Sequence, residues 1–108
     1  MNYTVHVLRR AGRDIEHIFT WLAERSPGGA QRWHSALEAA ADKLPLNPFR
    51  YGLAPENEAV DFEVRQFFFK TPHGRTYRGV FTVVDDEIRV LRVRGPGQPS
   101  LEPDELCP

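Results

Sequence analysis

The chain has 108 residues, of which 41% are hydrophobic, so it is long enough for one domain with one modest core. Its formal net charge of −1 argues against a general nucleic-acid binder. The single cysteine, Cys107, cannot form an internal disulfide, and a four-thiol zinc site is excluded. No apolar run approaches the roughly 18 residues of a membrane span, and the N-terminus lacks the pattern of a signal peptide. We therefore expect a cytoplasmic protein that does not enter a membrane.

The first part of the chain predicts a strand followed by an amphipathic helix. Residues 3–8 alternate weakly between apolar and polar side chains, which indicates a short strand. From about residue 10 to residue 25, apolar side chains recur at intervals of three and four, as at Ile15, Ile18 and Leu22. That spacing places them on one face of a helix.

A second helix is predicted from about residue 27 to residue 44. Ser26 is a good N-cap, and Pro27 is tolerated at the first helical position. Pro45 and Pro48 stop the helix. Because almost no residues separate the two helices, they should form an antiparallel hairpin.

The second half of the chain predicts a sheet. After an irregular loop over 47–60, three runs rich in β-branched and aromatic residues occupy 62–69, 76–84 and 87–94. Short turns join them, so they should form an antiparallel meander. The expected fold class is α+β in the order β-α-α-β-β-β, with the helical hairpin on one face of a small antiparallel sheet.

We divide the chain into a single domain over 1–94 and an acidic, proline-rich tail over 95–108. Residues 62–94 hold seven basic and four acidic side chains, whereas the tail holds three acidic side chains and no basic one. Its four prolines prevent a long helix or a continued strand, so we expect it to be extended or disordered.

Both faces of the predicted sheet carry apolar side chains. In 62–69, Phe67 and Phe69 lie opposite Phe62, Val64 and Phe68. Two interpretations stay open. The second face is either a small satellite core beneath the long loop or an exposed apolar and arginine-bearing surface that docks a partner.

The polar residues show no complete catalytic or metal-binding set. The four histidines lack metal-ligand spacing, and there is no glycine-rich phosphate loop or nucleophile elbow, so we expect no metal and no cofactor. Of the 14 basic residues only Lys43 and Lys70 are lysine. Arginine suits carboxylate and phosphate recognition, although a salt-bridged surface would give the same composition.

Taken in order, several short motifs over residues 3–94 resemble the RelE/ParE toxin superfamily of type II toxin–antitoxin systems, which includes plasmid stabilisation proteins. The motifs are Ala11 with Asp14-Ile15, Ser26-Pro27 with Ala30, Leu44 with Pro45 and Pro48, Leu53-Ala54-Pro55-Glu56, Val64-Arg65, Tyr77-Arg78 with Val80 and Phe81, and Val93-Arg94. The resemblance implies a toxin that inhibits growth. It also implies a cognate antitoxin that folds on binding, with a toxin–antitoxin heterotetramer as one possible assembly.

The superfamily has two branches with different activities. RelE-like members are implied to cut mRNA on the ribosome, where the arginine matching Arg78 supports the scissile phosphate and Arg65 matches a second recurring arginine. ParE-like members are implied to poison DNA gyrase and have no known catalytic set. If this chain is an enzyme, it is expected to be a metal-independent endoribonuclease with Arg65 and Arg78 as catalytic candidates.

Two departures from the ribonuclease pattern favour the ParE-like branch. Phe62 and Glu63 occupy positions at which the ribonuclease members are implied to carry a Lys-x-Lys pattern. After the last strand, residues 95–99 contain neither a basic residue nor a tyrosine. RNA cleavage needs an acid and a base as well as cations. A RelE-like nuclease is the second reading, and a non-toxic α+β binding module is the third.

The resemblance and the predicted faces together give two sets of site candidates. The candidates for target binding are Arg65, Arg78, Arg92 and Arg94. The candidates for the antitoxin interface are Phe67, Phe69, Val80 and Trp21.

Overall fold

The predicted order of elements, β-α-α-β-β-β, is confirmed in the computed structural model, which describes residues 2–108. The helices and strands are β1 (Thr4–Val7), α1 (Arg9–Arg25), α2 (Pro27–Asp42), β2 (Arg65–Phe69), β3 (Tyr77–Val84) and β4 (Glu87–Arg94). Short 3-10 turns occupy half of the loop between α2 and β2. The fold is therefore α+β, as the sequence predicts.

The helical hairpin turns at Ser26 as expected. The Ser26 hydroxyl oxygen accepts a hydrogen bond from the Gly29 N–H at 3.0 Å, and Pro27 occupies the first helical position. This cap satisfies one of the amides that a helix start leaves without a partner. Within residues 2–108, neither helix has the length and apolar character needed to cross a bilayer.

The four strands form one mixed sheet in the order β1-β4-β3-β2. The β2–β3 and β3–β4 pairs are antiparallel, as predicted for the meander. However, β1 pairs in parallel with β4, so the sheet is not wholly antiparallel. A parallel neighbour needs a long connection, and the helical hairpin, its following loop and strands β2 and β3 all lie between β1 and β4 in the chain.

A β-bulge in β4 changes which side chains share a face. Val80 pairs with Arg92 and Phe81 pairs with Val90, which leaves Leu91 as the extra residue. Bulges place two residues opposite one and break the alternation of faces. Strict alternation would place Arg92 on the same face as Val90. Val90 instead joins the helix-side core, whereas Val80, the partner of Arg92, lies in a second core on the opposite face.

The sheet buries both of its faces. The helix-side core contains Trp33 and Leu37 from α2 together with Phe67, Phe69 and Phe81 from the sheet. A second core on the opposite face is formed by Ala54, Val64, Val80, Leu91, Leu101 and Leu106. The satellite-core interpretation is thus correct, and the second face is not an open docking surface.

The C-terminal segment covers part of this second face. Leu101 and Leu106 are 4% and 1% exposed, and both lie in the second core. Arg10 donates to the Asp104 carbonyl oxygen at 2.6 Å, and Arg94 donates to that of Pro99 at 2.8 Å. The segment is therefore packed on the sheet and not disordered, because two leucines give it apolar area to bury.

Candidate functional site

Three of the four candidate arginines lie on the second face of the sheet. Arg78 pairs directly with Arg94 across β3 and β4, and Val80, a member of the second core, pairs with Arg92. Residues directly opposite each other in an antiparallel pair point to the same side. The structure therefore brings Arg78, Arg92 and Arg94 together into what we call the arginine face.

Arg78 forms an ion pair with the most buried charged side chain of this face. Both of its terminal nitrogens reach the Glu56 carboxylate, one of them at 3.1 Å. The Glu56 side chain is 1% exposed and that of Arg78 is 18% exposed. The Leu101 N–H donates to the same carboxylate at 2.9 Å, so Glu56 joins the sheet to the C-terminal segment.

The pKa of Glu56 reflects two opposing effects. Burial by itself raises the pKa of this carboxyl group, because desolvation disfavours its charged form. Hydrogen bonds from Arg78 and from the Leu101 N–H outweigh burial, so the pKa lies below its ordinary value. Glu56 is thus a charged partner of Arg78 at neutral pH and not a proton donor.

Arg92 is held by carboxylates from both ends of the chain. It donates to the two carboxylate oxygens of Asp14 at 2.7 and 2.9 Å and to Glu105 at 3.3 Å. Asp14 also accepts the Val93 N–H at 3.0 Å. The Asp14-Ile15 motif therefore fastens α1 to the edge of β4, and Arg92 is anchored within the fold.

Arg65 lies on the opposite face from the other three candidates. It pairs with Phe81, which belongs to the helix-side core. Its guanidinium donates to the Tyr51 carbonyl oxygen at 2.6 Å and to Glu63 at 3.1 Å. Arg65 fixes the loop before β2 and does not join the arginine face.

The tyrosine of the Tyr77-Arg78 motif is also separated from the arginine face. Tyr77 packs against the helix-side core, with its ring 5.5 Å from that of Trp33. Burial raises the pKa of its phenol above the ordinary value. Adjacent residues of a strand point to opposite sides, so Tyr77 cannot act beside Arg78 on one phosphate.

Three of the four antitoxin candidates are buried. Phe67 and Phe69 are 2% and 6% exposed beneath the helices, and Val80 is 0% exposed in the second core. The expectation that they form a docking surface is wrong, because the helices cover the face of Phe67 and Phe69 and the C-terminal segment helps to cover that of Val80. Trp21 is 54% exposed and is the only one of the four available at the surface.

A comparison with protein-family models matches residues 5–98 to the family described as the ParE toxin of the type II toxin–antitoxin system parDE. The chain belongs to this family. The resemblance drawn from the motifs is thereby confirmed.

Among curated proteins, the chain is similar to Toxin RelE1 of Caulobacter vibrioides, with 46% identity over 50 residues. That match covers 46% of this chain and 54% of the relative, so it spans about half the length of the curated protein.

Sequence reasoning missed the carboxylates that engage the arginines. Glu56 lies in one of the family motifs and Asp14 in another, but the sequence indicated no role for either carboxylate. Glu105 lies in the C-terminal segment, whose prolines indicated disorder, so no contact was predicted for it. A hint for the tail was available in Leu101 and Leu106, two apolar residues in an otherwise polar stretch.

Proposed function

We propose that this member of the ParE toxin family inhibits bacterial growth by binding a cellular target, DNA gyrase, in the cytoplasm. One observation carries the choice of mechanism. Arg78, which a RelE-like reaction would aim at the scissile phosphate, is paired with the buried carboxylate of Glu56. A guanidinium neutralised in this way is poorly placed to stabilise developing negative charge on RNA.

The other candidate arginines support the same proposal. Arg92 and Arg65 are engaged by Asp14 and by backbone carbonyl groups, respectively. The sequence pI of about 6.4 suits a protein target better than the phosphate backbone of ribosomal or messenger RNA. Inhibition by binding needs a complementary surface and no acid or base catalyst. Arginines that are already held by ion pairs and hydrogen bonds are therefore compatible with it.

A RelE-like, ribosome-dependent mRNA endonuclease is the second candidate. The likeness to Toxin RelE1 of Caulobacter vibrioides favours it, as does the grouping of Arg78, Arg92 and Arg94 on one face. For this activity Glu56 and the C-terminal segment would have to leave the arginine face when the ribosome binds.

A cognate antitoxin is the proposed neutralising partner, and it is proposed to fold on binding and to form a heterotetramer with the toxin. Because Phe67, Phe69 and Val80 are buried, we place the proposed antitoxin contact at the surface around Trp21 on the helical hairpin. Replacing Phe67 would therefore damage the core and not an interface.

Two assays with the purified protein separate the candidate targets. A ParE-like toxin is expected to inhibit supercoiling of relaxed plasmid DNA by purified gyrase and to leave mRNA intact in a reconstituted translation mixture. Cleavage of mRNA in the presence of ribosomes, with gyrase unaffected, would contradict the proposal and establish the RelE-like alternative.

A further inference from the structure

An aromatic cleft lies where the turn between α1 and α2 meets the turn between β2 and β3. Its volume is about 250 Å³, and its walls include Trp21, Leu22, Trp33 and Tyr77. A second hollow of about 530 Å³ adjoins it, because the two share Trp21, Arg75 and Tyr77. Both tryptophans of the chain line the cleft, and none of the four candidate arginines does.

Two arginines give this aromatic cleft a positive rim. The Arg25 guanidinium lies 3.7 Å from the centre of the Trp21 ring. Among the described residues its one ion pair, with exposed Glu24, is long at 3.9 Å. Arg75 lines both hollows and has no ion pair within residues 2–108. The residues that line the two hollows, all of them in the described part of the chain, include no Asp or Glu.

A buried hydrogen-bond donor also lacks an acceptor at this place. Trp33 is 3% exposed, and its indole N–H has no hydrogen-bond partner among residues 2–108. Buried donors are paired in the great majority of protein structures, so this indole N–H is an unusual feature of the cleft wall. Because Trp33 lines the cleft, a bound molecule would change the surroundings of its indole ring.

We propose that the aromatic cleft binds an aromatic side chain flanked by carboxylates, presented by a peptide segment of the antitoxin. The ring would pack against Trp21 and Tyr77, and the carboxylates would pair with Arg25 and Arg75. The identity of the partner rests on the proposed function, whereas the chemistry of the ligand rests on the cleft alone.

The shape of the two hollows favours a peptide over a separate small molecule. The adjoining hollow extends the cleft past Trp21 towards Gly95 and Gln98, which gives an extended chain a path away from the inserted ring. A single buried aromatic anchor with a charged surround is a common arrangement at protein interfaces.

The test uses the full chain labelled with nitrogen-15 and three blocked tripeptides as probes. The first is glutamate-phenylalanine-glutamate. Its neutral counterpart has glutamine at both ends, and its ring-less counterpart has alanine in the centre. The indole N–H signals of Trp21 and Trp33 are followed by NMR and assigned with Trp21→Phe.

We expect the first tripeptide to shift the Trp33 indole signal and to bind at least about tenfold more tightly than either counterpart. Arg75→Gln should weaken this binding several-fold, whereas Arg50→Gln, an exposed arginine outside the cleft, should leave it unchanged. Retained binding to the Arg50→Gln protein shows that removal of one arginine charge does not by itself abolish binding.

Equal shifts from all three tripeptides, or equal losses in both arginine variants, would overturn the proposal. Binding of 3-phenylpropionate as tight as that of the first tripeptide would overturn the peptide occupant in favour of a small carboxylic acid. The gyrase and translation assays contain no such peptide. Failure of peptide binding with gyrase inhibition intact would therefore refute this inference alone.

Discussion

Glu56 is the residue on which the arginine face depends. Its carboxylate accepts hydrogen bonds from Arg78 and from the Leu101 N–H, and its side chain is only 1% exposed. We expect Glu56→Gln to lower the free energy of unfolding by about 2–3 kcal/mol, because it removes one charge of a buried pair while Arg78 keeps some contact with solvent. Urea denaturation followed by circular dichroism measures this.

Glu58→Gln is the matched control for that substitution. Glu58 lies in the same 3-10 turn, is exposed and makes no ion pair within the described residues. Its replacement should change the unfolding free energy by less than about 0.5 kcal/mol. Equal effects of the two substitutions would show that the Glu56–Arg78 pair contributes nothing to the fold.

Gly79 provides a second test at the residue scale. A Cβ atom at this position would collide with the ring of Phe67 on the neighbouring strand. Gly79→Ala should therefore destabilise the protein by about 1–3 kcal/mol through overpacking of the helix-side core. Gly12→Ala, in the open part of α1, should instead stabilise it by roughly 0.5–1 kcal/mol. Thermal unfolding of both variants distinguishes these opposite signs.

Single residues could be recognised from the sequence, but their partners could not. Arg78 and Asp14 both belong to motifs that pointed to the family. Whether an arginine meets a phosphate or a carboxylate depends on contacts between residues far apart in the chain, such as the 78 residues that separate Asp14 from Arg92. A motif therefore identifies the type of residue but not the group that its side chain contacts.

The C-terminal segment is the element that differs most from its expectation. Leu106 is 1% exposed and packs in the second core with Leu101. Leu106→Asp should release the segment, because burial of the new charge would cost more than detachment. Hydrogen exchange at residues 99–106 is expected to speed up at least about tenfold.

Ser100→Asp is the control for release of this segment, because it adds the same charge at an exposed position six residues earlier. Its exchange rates should match those of the unmodified protein. Equal exchange in the Leu106→Asp protein and in the control would mean that the leucine does not hold the segment in place.

Attachment of the same segment should depend on pH. Hydrogen bonds from Arg78 and the Leu101 N–H overcome the effect of burial on Glu56 and lower its pKa, and the Glu102 N–H lowers that of Glu105, with a further contribution from Arg92. A lowered pKa in the folded state adds stability above the ordinary glutamate value, about 4.3, and that stability is lost as the pH falls through the folded value. The stability difference between the unmodified protein and Glu56→Gln should thus shrink below about pH 4. A constant difference between pH 7 and pH 3 would contradict this linkage.

Elements were predicted better than their arrangement. Helix and strand periodicity gave every element of the sheet and hairpin within a few residues. The parallel pairing of β1 with β4 was not predicted. The neighbour of β1 depends on where the chain enters the sheet again after the helical hairpin, and the sequence pattern does not indicate that position. The bulge at Leu91 was not predicted, because one extra residue does not change the composition of the strand in a recognisable way.

At the scale of the whole molecule, charge is compensated across the fold and not only along the sequence. The basic side chains of β3 and β4 meet carboxylates from α1, from the loop before β2 and from the C-terminal segment. A net charge of −1 and engaged arginines give little long-range attraction for nucleic acid. This arrangement is what favours a protein target in the proposed function.

The central claim is tested most directly by inducing this protein alone in bacteria and following pulse labels for DNA synthesis and protein synthesis. Inhibition of gyrase predicts that DNA synthesis falls first while protein synthesis continues. If protein synthesis falls first, the target is the translation machinery, and the Arg78–Glu56 pair must open on the ribosome.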